Sequence, residues 1–135
     1  MTIELGKLFL LELLKLHSNQ IHSGNDATMP FLATLTNFSH LKELNLRDTK
    51  LVCVLSLSIG KLYTNLSYLT LEKHMIEGNI PPHIGNLSSL TYLNLSINLL
   101  NGSIPSLRNL TNLERLDLGN NKLEGNIPNV IEQLR

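Results

Sequence analysis

The sequence predicts a solenoid, in which similar coils stack and share one continuous hydrophobic core. The first observation is an internal repeat: residues 87–105 align with residues 110–128 at a constant offset, leucine on leucine, asparagine on asparagine and Ile-Pro on Ile-Pro. Leucine also fills 32 of the 135 positions, whereas aromatic residues make up only 4%. One coil cannot bury its own leucine face, so units of this kind have to stack.

Each recurring position of the repeat has a physical reason. Leu93 and Leu95, two residues apart, point to the same side of a short strand. Asn98 follows where the chain leaves the strand, and its carboxamide can bond backbone groups that no strand partner reaches. Gly102 permits a positive φ, and Pro105 holds an extended or turn geometry. The equivalent asparagines form a predicted structural ladder: Asn19, Asn98 and Asn121.

The complete pattern is L-x-x-L-x-x-L-x-L-x-x-N-x-L-x-G-x-I-P, as in residues 87–105. It resembles the plant extracellular subclass of leucine-rich repeat. The chain resembles part of the ectodomain of a plant leucine-rich-repeat receptor-like kinase or receptor-like protein. This resemblance implies an α/β solenoid with short parallel strands on a concave face and with loops, 3-10 turns and short helices on the convex face.

The first coil has a strand predicted at Leu14–Leu16. A helix is the competing interpretation, because Glu12 and Lys15 lie among good helix formers, but the match of Asn19 to the repeat favours the strand. An insertion at residues 22–35 begins with turn-forming residues and is expected to end in a short convex helix over Phe31 to Leu35. It resembles the insertion of plant receptor kinases of the flagellin- and elongation-factor-receptor type.

The rest of the chain continues the repeat as one domain, residues 1–135, of about five coils. Their predicted ranges are 8–37, 38–61, 62–86, 87–109 and 110–133. The second and third coils depart from the pattern: Thr49 and His74 occupy the asparagine position, and Cys53 occupies the glycine position. A hydroxyl or an imidazole replaces only part of the hydrogen bonds of a carboxamide. This middle region is therefore expected to be the least stable part of the stack.

Composition and motifs exclude several classes of function. The net charge is zero, so nothing indicates nucleic acid or an anionic membrane as a partner. The single Cys53 excludes a disulfide within the chain, and the five histidines lack the spacing of metal ligands. The sequence contains no phosphate-binding glycine loop and no kinase motif. We expect no catalytic residue, no metal and no cofactor, with kinase activity only if the full-length product carries a further domain.

The chain shows neither a secretion signal nor a segment long enough to span a membrane. Its repeats nevertheless resemble extracellular ones. The simplest interpretation is a fragment of a longer product, whose parent is expected at the extracellular face of the plasma membrane.

The candidate binding site is the outward face of the predicted strands, where side chains align in columns. Tyr68 is expected beside Tyr92, in a column that also holds Glu43 and Arg115. Exposed tyrosines flanked by charges are typical of binding surfaces, although an ordinary solvated sheet face is the alternative. The predicted ligand-binding residues are Glu43, Asn45, Arg47, Tyr68, Thr70, Glu72, Tyr92, Asn94, Ser96, Arg115 and Asp117.

The N-x-S/T acceptor sequence for N-glycosylation recurs along the chain, which suits a secreted surface. The alternative is that a repeat rich in asparagine and serine generates such tripeptides by chance. Asn94 is expected on the exposed face of its strand, where a glycan would block a ligand. The six predicted acceptors are Asn37, Asn65, Asn86, Asn94, Asn101 and Asn109.

Together these features favour recognition of an extracellular peptide or protein, in plant defence or developmental signalling, with a co-receptor as a further expected partner. Two alternatives stay open at this point. One is a secreted inhibitor, on the same fold, of a microbial wall-degrading enzyme. The other is a fragment of a membrane receptor whose absent cytoplasmic half is a Ser/Thr kinase.

Overall fold

The computed structural model describes residues 10–21, 30–55, 57–62 and 65–129. These residues form one α-helix, α1 at Pro30–Leu35, and two 3-10 helices, at Leu57–Lys61 and Pro82–Asn86. They also form nine strands: β1 Leu13–Lys15, β2 Glu43–Asn45, β3 Val52–Val54, β4 Tyr68–Thr70, β5 Met75–Asn79, β6 Tyr92–Asn94, β7 Leu99–Gly102, β8 Arg115–Asp117 and β9 Lys122–Leu123.

Strands β1, β2, β4, β6 and β8 form a five-stranded parallel sheet, in that order. Each coil contributes one strand to this sheet, so equivalent residues of successive coils lie side by side. Leu44 pairs with Leu69, and Leu69 pairs with Leu93. These central leucines point inward, because alternate residues of a strand face opposite sides. The parallel strands predicted for the concave face are confirmed, and the first coil contains a strand, β1 at Leu13–Lys15, which begins and ends one residue earlier than predicted.

Strands β3, β5, β7 and β9 form a second parallel sheet, which the sequence analysis did not predict. Its signal is a period of two: Val52 and Val54 are exposed while Cys53 between them is buried, and Met75, Ile76 and Glu77 alternate likewise. Such alternation is typical of a strand with one solvated face. The resemblance to the repeat family implied only loops, 3-10 turns and short helices outside the concave strands.

The core lies inside the coils and is continuous along the stack. Its leucines come from the same repeat positions in each coil, such as Leu44, Leu69 and Leu93, each at most 1% exposed. Burial of a leucine side chain stabilises by roughly 1.5–3 kcal/mol. The helix of the insertion joins this core through Leu35, which is fully buried beside Phe38. The short helix predicted at Phe31 to Leu35 is thus confirmed as α1, one residue longer at its start.

Each coil turns sharply after its strand, at the residue that precedes the asparagine position. There φ is between 54° and 63° in all five coils. A second left-handed position follows at the repeat glycines, and Gly102 has the positive φ that its position predicts, 69°. The five turn residues are Ser18, Asp48, Lys73, Ile97 and Asn120.

The asparagine positions link neighbouring coils through backbone hydrogen bonds. Asn98 Nδ2 donates to the carbonyl of Leu71 at 2.8 Å, and Asn98 Oδ1 accepts the Ile76 N–H at 3.1 Å. Asn121 makes the same two bonds to the coil before it, at 3.0 and 3.1 Å. Asn19 donates to carbonyls of its own coil. Each carboxamide therefore satisfies groups that the strand ladder leaves unpaired.

The substitutes at this position bond less completely. Thr49 Oγ1 donates at 2.9 Å to Leu46, within its own coil. His74 Nδ1 accepts the Leu51 N–H at 3.3 Å, which makes Nε2 the protonated nitrogen of the neutral ring, and the buried Nε2 has no hydrogen-bond partner in the described structure. The joints around the second coil thus carry fewer bonds than those around Asn98.

The predicted division into coils extends beyond the described residues. Its first and last boundaries involve residues 1–9 and 130–135, and most of the predicted insertion falls on residues 22–29, all of which lie outside the described residues. The single domain of about five coils with these ranges therefore stays a prediction.

Candidate functional site

The outer face of the five-stranded sheet carries three columns of side chains. The first column follows the strand register directly: Glu43 pairs with Tyr68, Tyr68 with Tyr92, and Tyr92 with Arg115. Leu13 begins this column and is 54% exposed. The column expected from the repeat, with both tyrosines between Glu43 and Arg115, is therefore present.

The two tyrosines of this column stack face to face. The ring centroids of Tyr68 and Tyr92 are 4.3 Å apart with an interplanar angle of 6°. The guanidinium carbon of Arg115 lies 5.5 Å from the centroid of the Tyr92 ring, within the range of a cation–π contact. Burial raises the pKa of the Tyr68 hydroxyl, and the neighbouring Tyr92 adds to this shift. Both rings remain partly exposed.

Side chains of the second column, which contains Asn45, Asn94 and Asp117, form turns where the chain leaves each strand. Asn45, Asn94 and Asp117 each accept the backbone N–H two residues further on through a side-chain oxygen, at 3.2, 2.9 and 2.9 Å. Asx side chains form local turns of this kind. The repeat pattern predicted all three as ligand contacts, and Asn94 also as a glycan acceptor, but it did not predict this role in the turn. Its signal was Asn or Asp between the two strand leucines in three of the five coils.

Three residues predicted to contact a ligand are buried. Thr70 is 2% exposed, Asn94 5% and Ser96 4%, so their expected exposure is wrong. Asn94 joins its neighbours: its Nδ2 donates to Tyr92 Oη at 3.2 Å, and its Oδ1 accepts the Ser96 hydroxyl at 2.7 Å. Larger neighbouring side chains therefore cover Thr70, Asn94 and Ser96. Strand alternation alone cannot predict this burial.

Ion pairs connect neighbouring coils on this face. Lys15 Nζ lies 3.1 Å from a Glu43 carboxylate oxygen, and Arg47 Nε lies 3.3 Å from Glu72. Glu72 also accepts a hydrogen bond from Asn94 at 3.4 Å. Since the basic side chains are about half exposed, these pairs contribute no more than about 1 kcal/mol each. They order the charged rim around the tyrosines.

Beside this face, a further ion pair links the turns of the second and third coils. Lys73 Nζ donates to Asp48 at 2.8 Å, and this hydrogen bond lowers the pKa of the Asp48 carboxyl. Asp48 is one of the residues in the left-handed turn.

Among the residues that the structure describes, the remaining reactive groups are neither clustered for metal binding nor activated for catalysis. Among the described residues, no three His, Cys, Asp or Glu side chains are grouped so that they could hold a metal ion. Cys53 is a buried free thiol, and burial raises its pKa to about 11. A thiol with such a pKa is a poor nucleophile at neutral pH. Within the described ranges, no helix is both long and apolar enough to span a bilayer.

The predicted glycan acceptors fall into two groups. Asn37, Asn65, Asn86, Asn101 and Asn109 are exposed, whereas Asn94 is buried. The Asn65 amide is already engaged, because it donates at 3.1 Å to the carbonyl of Ser39 in the coil before it. The exposed position that the sequence analysis assigned to Asn94 is therefore wrong.

The surface that remains for a ligand is narrower than predicted. It consists of the stacked rings with polar and charged side chains around them, all partly or fully exposed: Glu43, Asn45, Arg47, Tyr68, Glu72, Tyr92, Arg115 and Asp117. Flat aromatic area with a charged rim can bind a peptide or protein segment. The described residues of this surface offer binding groups and no activated nucleophile.

Comparison with known proteins gives a consistent result. A family model described as Leucine Rich Repeat matches residues 112–134. The receptor kinase-like protein Xa21 of Oryza sativa subsp. japonica is 39% identical over 90 residues, which are 67% of this chain and 9% of that protein. The chain thus spans less than a tenth of the length of this relative.

Solved structures agree with the architecture. The crystal structure of the leucine-rich repeat ectodomain of the plant membrane receptor kinase GASSHO1/SCHENGEN3 from Arabidopsis thaliana, in complex with CASPARIAN STRIP INTEGRITY FACTOR 2, matches with a TM-score of 0.85 and 33% identity, covering 100% of this chain and 16% of that one. The ectodomain of the Arabidopsis receptor kinase HAESA, in complex with an IDA peptide hormone ligand, matches with a TM-score of 0.81 and 28% identity. This match covers 96% of the present chain and 21% of the HAESA chain.

Proposed function

This chain is a leucine-rich repeat protein of the plant receptor type, and we propose that its five-stranded sheet binds an extracellular peptide or protein segment. The observation that carries the proposal is the stacked pair of Tyr68 and Tyr92 at the centre of the first column. Tyrosine supplies a large contact area and a polar hydroxyl at a small cost in side-chain entropy.

The geometry suits a segment that crosses several coils. The strands lie side by side, so a ligand that runs along the first column meets Glu43, the two rings and Arg115 in turn. The buried network of Asn94 and Ser96 lies in the neighbouring columns and supports the rings from the side. A support of this kind holds the aromatic surface in place before binding, which reduces the entropy lost on association.

The parent product that we propose is a plant cell-surface receptor, with this chain on its extracellular side. The support is that the relatives are receptor kinases and that two matched ectodomains were solved with bound ligands. Signalling would then need a cytoplasmic activity and a co-receptor outside the described residues. The part played by this chain is recognition.

A displayed library of random peptides, selected against the full chain, tests the binding site. Tyr68→Ala and Tyr92→Ala should each weaken the selected peptides at least about thirtyfold, the change expected for a hot-spot residue worth ~2 kcal/mol. Thermal melts of both variants establish that the fold persists.

The chain offers a matched control in its arginines. Arg115 lies on the tyrosine column, while Arg108 is exposed in the segment between β7 and β8. Arg115→Ala should weaken binding and Arg108→Ala should not. If hydrogen exchange places the bound peptide on the two 3-10 helices, or if both arginine variants lose affinity equally, the proposed site is wrong.

A further inference from the structure

Three of the glycan acceptor sequences occupy the same position of the repeat. Asn37, Asn86 and Asn109 each directly precede the first buried residue of a coil, which is Phe38, Leu87 or Leu110. All three asparagines are exposed. Equivalent positions of stacked coils align along the solenoid, so these acceptors form a row. The third coil interrupts the row with Lys61, which precedes the buried Leu62.

A fourth acceptor has the same tripeptide in an opposite environment. Asn86 and Asn94 both occur as Asn-Leu-Ser. Asn86 ends a 3-10 helix and is exposed, while Asn94 lies in β6 and is only 5% exposed. The Asn94 amide already donates to Tyr92 Oη at 3.2 Å and to Glu72 at 3.4 Å. The local acceptor sequence is therefore the same at both asparagines, and only the tertiary structure makes Asn86 exposed and Asn94 buried.

We infer that the secreted, folded protein carries N-glycans on the row Asn37, Asn86 and Asn109 and none on Asn94. This inference rests on the proposed extracellular location. In the transfer step, C1 of N-acetylglucosamine in a lipid-diphosphate-linked oligosaccharide bonds to the asparagine Nδ2. Its bond to the diphosphate oxygen breaks, the lipid diphosphate leaves, and the amide nitrogen loses one proton.

Burial excludes the same step at Asn94 in any molecule that folds. A sugar on Asn94 Nδ2 needs space where the Tyr92 hydroxyl and the Glu72 carboxylate now lie. Chains modified there before folding would have to open the network around Ser96 and the stacked rings. The molecules that reach the folded, secreted state are therefore those with a free Asn94.

The row leaves the proposed ligand surface open. Asn37, Asn86 and Asn109 belong to none of the three columns of the five-stranded sheet. Asn37 follows α1, and Asn86 ends the 3-10 helix at Pro82–Asn86, so glycans there cover the segments that lead back toward the strands. Binding partners are thus directed to the tyrosine column and away from this side of the coils.

The test is site-by-site glycan occupancy of the full chain, secreted from plant cells behind a cleavable leader. Peptide mass spectrometry of the monomeric secreted fraction should find glycans at all three row positions and an unmodified Asn94. Asn86→Gln should remove the mass of one glycan. Ser96→Ala, which destroys the Asn94 acceptor sequence but keeps the Asn94 side chain, should leave the mass of the attached glycans unchanged.

An unfolded variant identifies burial as the cause. Leu44→Asp places a carboxylate at a fully buried core position and should unfold the chain. In this retained, intracellular variant Asn94 should acquire a glycan. A glycan on Asn94 in the secreted monomer, an unmodified Asn86 in the same fraction, or a free Asn94 in the unfolded variant would each overturn the inference. Peptide affinity, measured on enzymatically deglycosylated protein, tests the proposed function separately.

Discussion

Ile97 holds a backbone conformation that β-branched residues rarely adopt. Its φ is 55°, in the left-handed turn that precedes Asn98, and its side chain is 43% exposed. Left-handed backbone costs an ordinary residue roughly 1–2 kcal/mol, whereas asparagine tolerates it. Asn120 occupies the same position in the next coil with φ of 54°.

Ile97→Asn should therefore raise the free energy of unfolding by about 1 kcal/mol. Leu99→Asn is the matched control, because Leu99 is also partly exposed and has no positive φ. Denaturant titration should show a gain for Ile97→Asn alone. Equal effects of the two changes would mean that loss of exposed apolar surface, and not backbone strain, determines the result.

His74 makes the stability of the middle coils depend on pH. Burial lowers the pKa of His74 below the ordinary histidine value of 6.5, although the Leu46 backbone and the charge of Asp48 act in the opposite direction. The unfolded chain therefore binds a proton more readily than the folded chain. Stability is fully present above about pH 6.5 and falls as the pH drops toward the folded pKa, with a slope of up to about 1.4 kcal/mol per pH unit.

His74→Asn should remove this acid sensitivity and restore the bond pattern of Asn98. The new carboxamide could accept the Leu51 N–H, as His74 Nδ1 does, and donate to the carbonyl of Leu46. Unfolding free energies between pH 7 and 5 measure the effect. His83→Asn removes an exposed histidine and is the control; the same loss of acid sensitivity there would assign the effect to another group.

At the scale of elements, the glycines of the two 3-10 helices have different amounts of space around them. Gly60 and Gly85 occupy equivalent positions, each after a buried isoleucine. A Cβ on Gly60 would collide with the backbone oxygen and the Cβ of His83 in the next helix, whereas a Cβ on Gly85 would meet the nearest atom, the Ser106 oxygen, at 3.5 Å. The space at Gly60 is too small for a Cβ, whereas the distance at Gly85 is an ordinary van der Waals contact.

Gly60→Ala should cost roughly 1–3 kcal/mol, because the helices must move apart. Gly85→Ala should be neutral or slightly stabilising, since alanine restricts the unfolded chain more than glycine does. Thermal melts of the two single variants provide the comparison. A similar loss for both would show that glycine is needed at this position for another reason.

At the scale of the whole molecule, stability is a sum over coils and the joints between them. The joints around the second coil are the weakest by their hydrogen bonds: Thr49 bonds only within its coil, and the His74 Nε2 has no partner among the described groups. Cys53 lies in β3 of this coil, buried and with a pKa of about 11. The reactivity of this thiol toward an alkylating reagent therefore measures local opening of the second coil.

Alkylation of Cys53 near pH 8 should begin at a lower denaturant concentration than the loss of strand signal from the whole chain, because local opening needs less free energy than global unfolding. Introducing asparagine at both weak joints, Thr49→Asn and His74→Asn, should bring the two transitions together. Coincident transitions in the unchanged chain would show that the stack opens as one unit.

The sequence by itself determined the repeat, and with it everything that depends on position within a coil. Constant spacing and strand alternation predicted the five parallel strands, the inward leucines, the left-handed Gly102 and the alignment of Tyr68 with Tyr92. These features follow from local geometry repeated at a fixed interval, so one coil predicts the next.

Only the tertiary structure decided what depends on distances between atoms of different coils. It buried Thr70, Asn94 and Ser96 on a face expected to be open, paired the alternating residues around Cys53 into a second sheet, and placed Gly60 against His83 while leaving room for a Cβ at Gly85. The physical reason is that the repeat pattern specifies the direction in which a side chain points. Whether a larger neighbour covers that side chain, or a partner reaches its polar atoms, is decided by packing in three dimensions.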